Sequence, residues 1–117
     1  MSQAEHDRRI DYVEFSATNL EETKRFYGEA FGWEFTDDGP EYTSFSDGRL
    51  AGGFAAAADV SAGGPLVVIY STDLEGLQER VRGSGGQIVR EIFEFPGGRR
   101  FHFTDPNGNE LAVWSDR

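Results

Sequence analysis

The chain has 117 residues and a formal net charge of −10, with 11 Lys and Arg against 21 Asp and Glu. That length suits one domain with a real core, and the acidic balance disfavours nucleic-acid binding, which needs a basic surface. The absence of cysteine removes disulfides, thiolate metal sites and cysteine nucleophiles, and only two histidines, His6 and His102, leave a His-rich metal site within one chain excluded.

Met1 to Arg9 is polar and reads as a frayed tail, with His6 as a solvated tail residue. No apolar run is long enough to span a bilayer, so a cytoplasmic protein without membrane or nucleic-acid partners is expected. Ile10 to Ala17 reads as a strand. Ile10, Tyr12 and Glu14 share one face, Asp11, Val13 and Phe15 the other, and alternation alone does not say which is core. Thr18 or Asn19 can cap the next helix, Glu21 and Glu22 suit its positive end, and Leu20, Thr23, Phe26, Tyr27, Ala30 and Phe31 recur at helical spacing before Gly32 stops it. Trp33 to Thr36, Glu41 to Ser46 and Arg49 to Ala57 read as three strands, the last two joined through Asp47-Gly48. Ala58 to Gly64 is a linker of small residues.

The pattern then restarts. Pro65 to Ser71 is an apolar strand, and Asp73 caps a helix to about Arg82 with Leu74, Leu77 and Val81 on one face. Gln87 to Phe95, Arg99 to Thr104 and Asn109 to Trp114 are strands, the last two joined by the turn Asp105-Pro106-Asn107-Gly108. An offset of 73 − 19 = 54 maps Asn19 onto Asp73, and the same offset maps Gly32 onto Gly86. Two matched points at one spacing support an internal duplication. The expected fold is α+β: residues 10–117 form a single domain of two βαβββ modules (10–58 and 65–117), giving a cupped eight-stranded mixed sheet with helices on its outer face.

Several stretches carry a resemblance to a known family: Ile10-Asp-Tyr-Val-Glu-Phe15, Asn19-Leu-Glu21, Arg25-Phe-Tyr-Gly-Glu-Ala-Phe-Gly-Trp-Glu-Phe35, Leu50-Ala-Gly-Gly-Phe54 and Phe103-Thr-Asp-Pro-Asn-Gly-Asn109. In this order they resemble the vicinal oxygen chelate superfamily of glyoxalases, bleomycin-resistance proteins and extradiol dioxygenases. The resemblance covers nearly the whole chain after residue 9. It implies the paired βαβββ fold, often a homodimer, with modules exchanged between chains in some members. Metalloenzymes of that family bind a divalent ion through His and Glu from four strands. Those positions fall here on Tyr12, on Leu66, on Ala112 and near Phe54 to Ala56. The resemblance therefore implies a chain without the family's metal ligands, and no cofactor is expected.

What remains for the cup is a small-molecule site. Tyr12, Glu14, Trp33, Tyr42, Leu66, Ala112 and Trp114 are its expected ligand contacts, with Tyr70 a further aromatic wall. Glu14 and His102 are the candidate catalytic pair, a carboxylate base beside an acid or orienting imidazole; Glu110 is the further carboxylate that a non-standard metal site would need. Arg99 and Arg100 either bind an anion or pair with nearby acids. A small-molecule binding protein is the first reading, and a glyoxalase-type lyase, isomerase or hydrolase the alternative.

Overall fold

A computed structural model describes residues 4, 7, 8, 10, 12–60 and 65–117. The expectations for His6, for Asp11 and for the linker from residue 61 to residue 64 lie outside the described residues. The elements are β1 (Tyr12–Ala17), α1 (Leu20–Phe31), β2 (Glu34–Asp37), β3 (Tyr42–Ser46), β4 (Ala51–Ala56), β5 (Val67–Tyr70), α2 (Leu74–Gly83), β6 (Gln87–Phe95), β7 (Gly98–Thr104) and β8 (Glu110–Ser115). The α+β class and the repeated strand-helix-three-strand order are as expected. The strands form two four-stranded mixed sheets, ordered β1-β4-β3-β2 and β5-β8-β7-β6, each with its outer pair, β1 with β4 or β5 with β8, running parallel.

Both helices begin as their sequences dictate. Asn19 accepts from Glu22 N at 3.0 Å, and Asp73 accepts from Gly76 N at 3.1 Å, each satisfying a first-turn amide that has no partner inside the helix. Their ends differ. Gly32 closes α1 in the left-handed conformation, whereas α2 is capped by Ser84. Gly86, the match of Gly32 at the 54-residue offset, has another role. A Cβ there would lie 2.7 Å from Val81 and 2.9 Å from the Phe26 ring, so its bareness lets α1 approach the second module.

One core serves both modules. It joins Phe26, Tyr27, Phe45 and Phe54 of the first to Leu74, Val81, Phe101, Phe103, Leu111 and Val113 of the second. Fully burying one such side chain contributes about 2 kcal/mol. Tyr27 of α1 lies 5.2 Å from Phe54 of β4, while Phe26 and Phe31 lie 6.0 and 5.8 Å from Phe103 of β7. If β1 and β5 lay edge to edge, two strands would separate α1 from β7. The helix-bearing faces of the two sheets therefore turn toward one another around α1, and their other faces look outward.

The turn 105–109 clasps the modules together. Buried Asp105 accepts from Tyr27 Oη at 3.0 Å and from Asn107 N and Asn109 N at 2.8 and 2.9 Å. Asn107 Oδ1 accepts from Thr18 N at 2.7 Å, and Asn109 Nδ2 donates to Ser16 O at 3.0 Å. Burial, then the Asp105 carboxylate, holds the Tyr27 phenol well above its ordinary pKa. Among the described residues no helix is long and apolar enough to cross a membrane.

Candidate functional site

Residues paired across a sheet share a face. On the first sheet Val13 and Phe15 go to the core with Gly52 and Phe54, which leaves Tyr12 and Glu14 outward with Ala51 and Gly53. Tyr42 comes onto the same outward face from β3. The three polar groups form a chain. Tyr12 Oη and Tyr42 Oη are 2.5 Å apart, and Tyr42 donates to Glu14 Oε1 at 3.0 Å. Partial removal from water, then the bonds to Tyr12 and Glu14, hold the Tyr42 phenol protonated far above its ordinary range. Gly53 makes room for this. A Cβ at that position would lie 2.0 Å from Tyr42 Oη and 2.6 Å from Tyr12 Oη.

The outward face of the second sheet has different chemistry. The row at its middle is Val68, Ala112, His102 and Arg90 across β5, β8, β7 and β6. His102, 8% exposed, places Nδ1 2.9 Å from a Glu110 oxygen. A carboxylate only accepts, so Nδ1 carries the proton toward it and Nε2 is the nitrogen left over. That Nε2 is buried without a partner among the described residues, as is Nε of Arg100 on the same face. The Arg90 guanidinium stacks 3.6 Å above the Phe93 ring, and that of Arg100 lies 5.3 Å from both Phe93 and Phe95. Trp114 packs edge-on to Tyr70 at 5.3 Å, and the Tyr70 hydroxyl donates to Asp116.

A cleft of about 550 Å³ lies between the modules where the edge strands β1 and β5 do not meet. Val13, Phe15, Val67 and Ile69 line it from the two sheets, Phe31 and Leu77 from the helices, and Tyr70 and Trp114 at one side.

The expected site residues thus fall in three places. Tyr12, Glu14 and Tyr42 come together on the first outward face. Ala112, His102, Glu110 and Trp114 share the second, with Leu66 exposed just before β5. Trp33 stacks between Tyr27 at 4.6 Å and Phe45 at 4.5 Å on the core side and borders the cleft. Glu14 and His102 are on different sheets whose outward faces diverge, and His102 takes Glu110 as its carboxylate. Of the Arg99-Arg100 pair, Arg99 bonds Glu75, while Arg100 points to the outward face without a carboxylate partner among the described residues. Sequence reading missed Arg90 and Phe93. Simple alternation puts residues 90 and 93 on opposite faces, and register shifts in β6 around Arg90 bring them onto one.

Residues 9–113 match the family model described as "Glyoxalase/Bleomycin resistance protein/Dioxygenase superfamily". The chain is 29% identical over 116 residues to "Putative glyoxylase CFP32" of Mycobacterium bovis, covering 89% of this chain and 44% of that protein. A Mycobacterium tuberculosis protein of the same name matches equally. The chain thus spans less than half the length of the curated relatives it matches. Among solved structures, a glyoxalase/bleomycin resistance protein/dioxygenase family enzyme from Burkholderia phytofirmans PsJN superimposes with a TM-score of 0.82 at 16% identity, over 92% of this chain and 100% of that one. A glyoxalase-related enzyme from Fulvimarina pelagi gives 0.78 at 22% identity, over 92% and 88%. A mutant of the fosfomycin resistance protein FosX from Listeria monocytogenes, complexed with Mn(II) and 1S,2S-dihydroxypropylphosphonic acid, gives 0.80 at 15%, over 92% and 89%. At these identities the structural likenesses show the fold.

Proposed function

The chain belongs to the glyoxalase/bleomycin resistance protein/dioxygenase superfamily, and from that premise we propose that it binds a small organic molecule without a divalent ion of the family kind. The observation that carries this reading is the Tyr12–Tyr42–Glu14 chain on the outward face of β1. One of the four positions implied for metal ligands is Tyr12, and its hydroxyl is committed to Tyr42. The donor set does not fit an ion. Leu66 and Ala112 offer hydrocarbon, and Phe54 to Ala56 offers no ligating side chain, so a single phenol remains. Glu14 is free to accept from a donor or cationic group of the ligand, while Tyr12, Tyr42 and Trp114 supply flat aromatic contact. On this reading Leu66 and Ala112 are apolar floor, and Trp33 serves the cleft.

The working unit we propose is a homodimer in which the first outward face of one chain meets the second outward face of the other. Its support is the exposed apolar surface along β1 and β5, where Tyr12, Leu66, Val68 and Tyr70 are each at least 40% exposed. Light scattering on the eluting protein measures the assembly directly, and a monomer at working concentration overturns it. For the ligand reading, metal is measured in purified, undialysed protein and again after loading with nickel, zinc or manganese and washing. The expected result is no retained ion in either sample, and a stoichiometric ion overturns the reading. Replacing Trp114 by Ala is expected to weaken binding of an aromatic ligand found by thermal-shift screening without unfolding the protein.

One observation favours catalysis as a second reading. The imidazole of His102 is oriented by Glu110 and keeps one ring nitrogen free, the arrangement that general acid–base chemistry uses. A glyoxalase-type isomerase or lyase would then use Glu14 as base across the dimer. Its signature is a pH–rate profile that loses one limb in Glu14→Gln, and an unaltered profile removes Glu14 from the chemistry.

A further inference from the structure

We infer that Arg90 and Arg100, beside His102, form an anion subsite on the outward face of the second sheet, which holds a carboxylate, phosphate or phosphonate group of the small molecule. The inference rests on the ligand-binding reading above and names the class of ligand that reading leaves open.

Three observations converge. First, Arg90 and Arg100, like Arg49 and Arg80, have no carboxylate partner among the described residues, and of these four only Arg90 and Arg100 stand together on one sheet face. Second, buried polar atoms are almost always satisfied, and one donor on this face is not, Nε of Arg100. A buried N–H without a partner is costly, and an oxyanion that accepts from that edge of the guanidinium removes the cost. Third, the guanidinium carbon of Arg90 lies 3.6 Å over the Phe93 ring and that of Arg100 lies 5.3 Å from Phe93 and Phe95. Such ring contacts restrain the guanidinium groups and lower the entropy lost when they close on an oxyanion.

The register puts these groups within reach of one ligand. Arg90 and His102 are direct cross-strand partners, and Arg100 is two residues along β7 on the same face. Ala112 beside His102 leaves space where a larger side chain would stand, and Trp114 beside Arg100 offers an aromatic wall. His102 stands beside the two arginines with Nδ1–H on Glu110 and Nε2 left as an acceptor for a hydroxyl of the ligand.

The test compares probes with one aromatic body and different head groups. Benzoate, phenylphosphonate and benzyl alcohol are titrated into the full chain at low salt, and affinity is read from amide and His102 ring shifts by NMR. At least one anion is expected to bind roughly tenfold or more tighter than benzyl alcohol, with the His102 signals moving. The advantage should vanish in R100Q and R90Q, leaving benzyl alcohol unaffected. Which anion wins assigns the site to carboxylates or to phosphoryl groups. Arg90 is exposed, so R90Q keeps the test sound should R100Q fold poorly. Anions binding no tighter than benzyl alcohol, or keeping their advantage in both variants, overturn the subsite. Benzyl alcohol binding in that case leaves the ligand-binding reading standing, whereas no binding by any probe overturns the subsite and counts against that reading too.

Discussion

The two modules share a register and differ in what they put on it. At the 54-residue offset, Glu14 corresponds to Val68, since 14 + 54 = 68. Across the first sheet the row reads Glu14, Gly53, Ser44 and Thr36, and across the second Val68, Ala112, His102 and Arg90. In the first module the acid stands on the edge strand, and a bare glycine beside it is covered by two tyrosines. In the second the matching edge strand is apolar, and the cationic groups stand on inner strand β7 and on the opposite edge, β6. A repeated backbone has become two unlike surfaces, one carrying a carboxylate and two phenols and one carrying guanidinium groups and an imidazole, while the core is shared.

Breaking the clasp should have the largest effect on this arrangement. Asp105→Ala strips the acceptor from the Tyr27 hydroxyl and from two backbone amides at a 4% exposed position. A loss of about 3 kcal/mol or more is expected in urea denaturation. Next comes the pair of floor residues. Gly53→Ala should cost about 2 kcal/mol, because its Cβ collides with both phenol oxygens. Ala112→Gly removes one methyl and should cost about 1 kcal/mol. Equal losses would mean that the two floors are not specialised.

Tyr42→Phe should cost about 1 kcal/mol by deleting one hydroxyl from the first face. Its pH dependence has a defined sign. The folded-state pKa of Tyr42 is raised above 10.0, so the contribution is full below about pH 10 and is lost as pH rises through the folded value. Stabilities of wild type and Tyr42→Phe should therefore converge only in alkali. The smallest effect concerns the ties between each helix and its sheet. Lys24 of α1 bonds Asp37 of β2, as Arg82 of α2 bonds Glu91 of β6. Lys24 holds the Asp37 carboxyl below 3.8, so its contribution is present above about pH 4 and is lost as pH falls through the lowered value. Asp37→Asn should flatten that part of the acid unfolding curve and leave the rest of the pH range unchanged.

Much of the architecture was legible because it is written in local chemistry. The caps Asn19 and Asp73, the helical stripe of α1 and the turn 105–108 each act within a few residues, and each appears where its chemistry puts it. Gly86 was legible as a repeat of Gly32 but not in its role, because what it accommodates is Phe26 of the other module. Tyr12 and Glu14 were legible as sharing a face because alternation along β1 carries that information, whereas strand pairing is what brings Tyr42 beside them. Arg90 with Phe93 was not, because irregular register in β6 breaks the alternation that such reading relies on.

Periodicity and caps were enough for the α+β class and the repeated strand-helix-three-strand order, since helix and strand periods and end-capping depend on neighbours in the chain. Packing alone decided which face of β1 is core, because both of its faces mix polar and apolar residues and only contact with α1 tells them apart. Packing also decided that Glu14 and His102 look away from each other. The helix-bearing faces bury more aromatic surface by closing on α1 than by facing water, and the two candidate sites are left on the other faces of two separate sheets.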